Sequence, residues 1–199
     1  MLSSISPLGE QARASRWWVT TAAYLIGSLA GGLALGGLAG LLGCALPAPW
    51  RSSPWALGLA AALLLLGLAL DLATGGRMLP SWRRQVDEQW LTRYRGWVYG
   101  IGFGAQLGFG LVTIITSSTT YAAVLLAVLG GSPGAGLLIG AVFGVVRAVP
   151  SLLMARVRDR AHLHRVFDRV ESWANPADII ARVALAGGAT ALAAAALGS

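Results

Sequence analysis

Lysine is absent from this 199-residue chain, cysteine occurs once and histidine twice, and only 12% of the residues are charged. Each shortage excludes something. A single thiol, Cys44, cannot close a disulfide within the chain or run a dithiol exchange, so it reads as a small apolar packing residue. His162 and His164 stand two apart, on different sides of a helix and among arginines, which argues against a metal site. No histidine lies inside an apolar run, so an intramembrane serine has no base to activate it. Carboxylates do not cluster within these runs, which leaves no carboxylate-only cation site. The chain is expected to be neither an enzyme nor a cofactor protein. No apolar core of signal-peptide length occurs in the first sixteen residues, so no cleavable secretory signal is expected.

What is abundant is apolar sequence, at 56% of residues, with 27 glycines and eight tryptophans at the edges of the apolar runs. Five stretches meet the roughly 20-residue requirement for crossing about 30 Å of hydrocarbon. They are Trp18 to Leu46, Pro54 to Thr74, Val98 to Gly130, Gly134 to Met154 and Ala177 to Gly198, interrupted only by Asp71, Arg147, Asp178 and Arg182. The fold class expected is all-α: a polytopic transmembrane bundle of about five spans, forming a single integral membrane domain over 1–199. Its parts are a truncated first half-repeat at 1–74, an interfacial helix at 75–97 and a second half-repeat at 98–199 that includes another interfacial helix at 155–175.

The arginines set the orientation. Arg13 and Arg16 precede the first span, five arginines fill the second connection, five fill the fourth, and the first and third connections offer only Arg51. The positive-inside rule then puts the amino terminus in the cytoplasm and the carboxyl terminus outside, in a bacterial inner membrane. The net charge of +7 is topological on this distribution, and no nucleic-acid partner is expected.

The two basic connections carry aromatic stripes at helical spacing. Trp82, Val86, Trp90, Tyr94 and Trp97 form one; Leu163, Val166, Phe167, Val170 and Trp173 form the other. Such helices lie in the headgroup layer with arginines on anionic phosphates, either as anchors or as a docking surface. Asn175 and Pro176 then supply a cap and a first residue for a new helix.

Glycines recur four apart at Gly32, Gly36 and Gly40, at Gly100, Gly104 and Gly108, and at Gly136, Gly140 and Gly144. Each set makes a smooth ridge for close backbone approach, within the chain or across a homo-oligomer. The run YLIGSLAGGLALGG from Tyr24 resembles LLIGAVFGVVRAVP from Leu137, in spans of opposite direction, which is the pattern of an inverted repeat.

The third span, at 33 residues, is about 50 Å long as a straight helix, so it must tilt or break. Thr116, Ser117, Ser118, Thr119 and Thr120, followed by Tyr121, place the interruption between Thr116 and Tyr121, where hydroxyls can bond released backbone groups; the alternative is that they bond back to their own helix. Arg147 is the odd intramembrane charge. It pairs with Asp71, or faces a cavity lined by those hydroxyls and draws an anion, or snorkels to the interface.

The order of GFGAQLGFGLVTIITSSTTYA, the turn GGSPGAG and LLIGAVFGVVRAVP resembles half of the membrane domain of the CcdA/DsbD-type thiol-reductant transporters, within the lysine-exporter-like superfamily. The resemblance runs from Leu2 to Leu153 and implies two inverted three-helix units, each opened by a broken helix. It implies six spans where five are seen, so the first broken helix has lost half or begins upstream of Met1. LSSISPLGE at Leu2 resembles the end of that helix, but Leu8 follows Pro7 where the family has a cysteine. The implied scaffold therefore comes without the redox pair. On this footing the expected function is movement of a small polar or anionic solute, and the alternative is a non-catalytic structural or assembly subunit of a larger membrane complex.

Overall fold

A computed structural model describes residues 16–75, 79, 95–110, 117–153, 157 and 160–198, apart from the side chains at 160 and 162. Among these residues the chain is helical throughout, in seven helices with no strand: α1 (Trp17–Ala45), α2 (Ala48–Arg51), α3 (Pro54–Thr74), α4 (Gly96–Phe109), α5 (Thr119–Gly130), α6 (Pro133–Leu153) and α7 (Arg160–Gly198). Four are long and apolar enough to cross a bilayer: α1, α3, α6 and the Leu163–Gly198 part of α7. Their outward faces are what a lipid solvent allows and water does not. Leu38, Leu42, Leu59, Leu66, Leu138, Val142, Ile180 and Val183 are all exposed, far more apolar surface than a water-soluble monomer presents.

Helix limits follow from local chemistry. Ser53 caps α3, its hydroxyl accepting from the Ala56 amide at 3.2 Å, and Pro54 takes the first helical position where its missing N–H costs nothing. At the other end Gly75 turns left-handed (φ 56°) and donates its amide to the Asp71 carbonyl. Ser132 and Pro133 repeat the same start for α6, with the Ala135 amide on the Ser132 hydroxyl at 3.1 Å.

The centre of the molecule is α1. Thr20, Tyr24 and Ser28 lie over Gly100, Gly104 and Gly108 of α4, with numbers rising together, so α4 runs parallel to α1. Gly32, Gly36 and Gly40 meet Gly140, Gly136 and Pro133 in reverse order, so α6 runs antiparallel. At these crossings a Cβ has no room: one on Gly36 would fall on the Gly136 carbonyl oxygen, and one on Gly108 on that of Ser28. The three glycine ridges therefore lie at helix crossings within the chain. Ser28 adds a polar tie, donating to the Gly144 carbonyl at 2.7 Å. Tyr24, Tyr99, Phe103 and Ala148 fill the remaining space, with the Tyr99 and Phe103 rings 5.8 Å apart.

The third span is interrupted. Helix α4 stops at Gly110, whose φ of 72° suits glycine and whose amide returns to the Gln106 and Leu107 carbonyls. Helix α5 resumes at Thr119 and continues along α1, where Gly43 meets Val128. The two lie end to end on one side of α1 and take the place of a single crossing. The break starts earlier than expected: the hydroxyls do not sit in the middle of it, because Thr119, Thr120 and Tyr121 already belong to α5, whose start favours hydroxyl residues, and a glycine supplies the stop.

Two further expectations are corrected or fall outside. No new helix starts at Asn175 and Pro176; α7 is continuous over 39 residues with Pro176 inside it. The proline leaves the Ser172 carbonyl without its helical donor, and Ser172 to Ala177 are all exposed, so the loss is met by solvent or headgroups. The stripe from Trp82 to Tyr94 lies outside the described residues.

Helix α7 packs chiefly on α3, through Leu64, Leu185 and Ala189, with Ala122 of α5 completing the cluster. The molecule is thus a body of α1, α4, α5 and α6 with an α3–α7 pair against its side.

Candidate functional site

The break in the third span gathers Asp71, Arg147 and the hydroxyls of Ser117, Ser118 and Thr120. Ser117 begins the second half of the span, its hydroxyl accepting from the Thr119 amide (3.3 Å) and hydroxyl (3.2 Å). Ser118 follows, 3% exposed, and turns to α3. Its amide donates to the Asp71 carboxylate at 2.9 Å, and its hydroxyl lies 3.0 Å from Asp71 Oδ1 and 2.9 Å from the Gly67 carbonyl. The Ser117 hydroxyl donates to Asp71 Oδ2 at 3.2 Å. Asp71 is 2% exposed and, placed at the start of α5, presents a carboxylate to the positive end of that helix. A carboxylate so buried is tolerable only because donors surround it.

Arg147 meets the same turn from the other side. Its Nη1 donates to Thr120 Oγ1 at 3.4 Å, and its guanidinium carbon lies 5.3 Å from the centre of the Phe143 ring, near enough for a cation–π contact. Asp71 and Arg147, for which a direct pair is one of three sequence readings, are thus received by hydroxyls two residues apart. Tyr121 and Thr119 complete the turn, while Thr116 lies outside the described residues.

Beside this polar turn is a cavity of about 480 Å³ between α3, α5 and α7, lined by Leu63, Leu66, Leu70, Val124, Leu125 and Leu185 among others, with Ser118 and Tyr121 its hydroxyl-bearing members. Its wall is hydrocarbon, and Arg147 is not part of it. Among the described residues no group of His, Cys, Asp and Glu could hold a metal. Cys44 is exposed near the end of α1.

Sequence reasoning missed one functional feature of the architecture. Arg51, the lone arginine of the first connection, donates from Nε to the Leu46 carbonyl (3.2 Å) and from Nη1 to the Leu129 carbonyl (3.4 Å), which closes the ends of α1 and α5 together. Its isolation among uncharged residues was the available signal.

A membrane bundle of α-helices with a polar turn at a broken span is the class that this geometry defines. Three known proteins resemble the chain: the methylamine utilization protein MauF of Paracoccus versutus (31% identical over 157 residues), of Methylophilus methylotrophus (31% over 156) and of Paracoccus denitrificans (32% over 157). Each alignment takes in 75% of this chain, and the chain spans about half the length of these relatives, 53–55%. No protein-family model matches the chain, and no solved structure matches it. These relatives overturn the CcdA/DsbD resemblance and, with it, the expected solute carrier. Glycine-rich spans and a proline turn are what close helix packing demands in any membrane bundle, so the segments that carried the resemblance have little power to separate families.

Proposed function

We propose that the chain is a multi-pass membrane protein that serves methylamine utilization in an accessory capacity, with no catalytic chemistry of its own. Similarity to MauF over three quarters of the chain carries this reading. The surroundings of the break support it: the open cavity beside it is apolar, and the polar side chains at the break are spent on helix ends and on one another. The proposed setting is a bacterial cytoplasmic membrane, amino terminus inside and carboxyl terminus outside. The helix directions favour it, since α1 and α4 run parallel, each with an arginine (Arg16, Arg95) at its start, and α6 returns toward that same end before the basic start of α7.

The test is growth. Deletion of the chain from its host should abolish growth with methylamine as nitrogen source and spare growth on ammonium, and the intact chain supplied in trans should restore it. Undiminished growth on methylamine after deletion would refute the assignment.

A further inference from the structure

The α3–α7 pair and the body meet at a narrow place. Their apolar contact is the cluster of Leu64, Leu185 and Ala189 with Ala122. Their described polar contacts converge on the start of α5: the Ser117 hydroxyl and the Ser118 amide donate to the Asp71 carboxylate, and the one hydrogen of the Ser118 hydroxyl is shared between Asp71 and the Gly67 carbonyl one turn away on the same face of α3. A Cβ on Gly67 would come 2.9 Å from Ser118 Cβ, so at this point the two segments are closer than a side chain at position 67 permits. Immediately beside it they part around the 480 Å³ cavity.

That combination is tight at one point and open next to it. The cavity is open on its outer side, where the exposed side chains of Leu63 and Leu66 line it, so it adds little to holding the pair against the body. What holds the helices in this arrangement is the polar point, where Asp71 satisfies an amide left over from the break in the third span. We propose that Asp71 is a clasp: it fixes the α3–α7 pair to the body at the broken span, and the pair has a second position, reached when the clasp opens, in which the cavity is reshaped. The clasp depends on the break, because an unbroken third span would have no free amide at Ser118 to offer.

Distance measurement between the pair and the body tests this without reference to methylamine. Cys44→Ser provides a background free of thiols. Val183→Cys on α7 and Leu138→Cys on α6, both on exposed faces, then carry nitroxide labels in lipid nanodiscs. With Asp71 intact, one narrow distance distribution is expected. Asp71→Leu should add a second distance while helicity by circular dichroism stays unchanged. An unaltered distribution, or a loss of helicity in step with its broadening, would overturn the clasp. Asp71→Asn retains an acceptor for the Ser118 amide and serves where the leucine variant fails to accumulate. It should show the second distance as a minor population, and a distribution identical to that of the parent would likewise overturn the proposal.

Discussion

Arg51 shows how one residue can be misplaced when it is read by its charge alone. Most arginines of this chain lie before the first apolar run or in the second and fourth connections, whereas Arg51 stands alone in the first. Its guanidinium instead lies on the carbonyls of Leu46 and Leu129, at the negative ends of α1 and α5. Arg51→Ala removes donors from both, and a loss of about 1 kcal/mol is expected from the dipole interaction, read as a lower thermal midpoint in detergent. Arg51→Lys keeps the charge and loses the fork, so it should fall between the two. Cys44 is the opposite case, a residue whose chemistry invites a role that its surroundings do not support. It is exposed and has no second cysteine in the chain, so Cys44→Ser should leave growth on methylamine unchanged in the host assay. Asp71 and Arg147 were legible as unusual from their positions alone. Their partners were not, because which hydroxyl meets which charge depends on where the third span stops, and that is set by a glycine seven residues ahead of Ser117.

At the scale of elements, glycine is legible where it repeats and obscure where it stands alone. The ridges at Gly32, Gly36 and Gly40 and at Gly136, Gly140 and Gly144 declared a packing face by their spacing, and these helices do cross there. Gly110 ends α4, yet nothing in the sequence separates it from Gly108, which lies at a crossing within the helix. The span lengths of α1, α3 and α6 were legible from the apolar runs, since a bilayer imposes a fixed length. The unity of α7 was not: Asn175 and Pro176 carry a strong local signal for a helix start, and continuity prevails because the turn is exposed and the freed carbonyl has partners outside the protein. The glycines also give a paired prediction. Gly36→Ala drives a methyl group into the Gly136 backbone and should destabilise by about 1–3 kcal/mol as an overpacked contact does. Gly58, on α3, has open space around it, so Gly58→Ala should be neutral or stabilise by about 0.5–1 kcal/mol through helix propensity. Thermal melts of the two variants in one detergent compare them directly, and equal effects would mean that the α1–α6 crossing is looser than its geometry.

For the whole molecule the membrane fixes what local signals leave open. Charge-free runs and the antiparallel course of α1 and α6 require an odd number of crossings between their starts, with α3 returning and the broken span counting as one. If α4 and α5 were a re-entrant pair that entered and left on the same side, α6 would begin at the basic end and its glycines could not meet those of α1 in reverse order. The antiparallel pairing of Gly32 with Gly140 and Gly36 with Gly136 therefore argues that the two half-helices cross together. This makes the turn at Gly131 and the end of α7 fall on one side, opposite to the starts of α1 and α4. A reporter active only outside the cytoplasm, fused after Gly130 or after Gly198, should be active at both positions, and one fused after Gly75 should be silent. Activity after Gly75 would mean that α3 does not return to the side where α1 starts, and silence after Gly130 that the broken span does not cross and the arginine-rich ends face opposite sides.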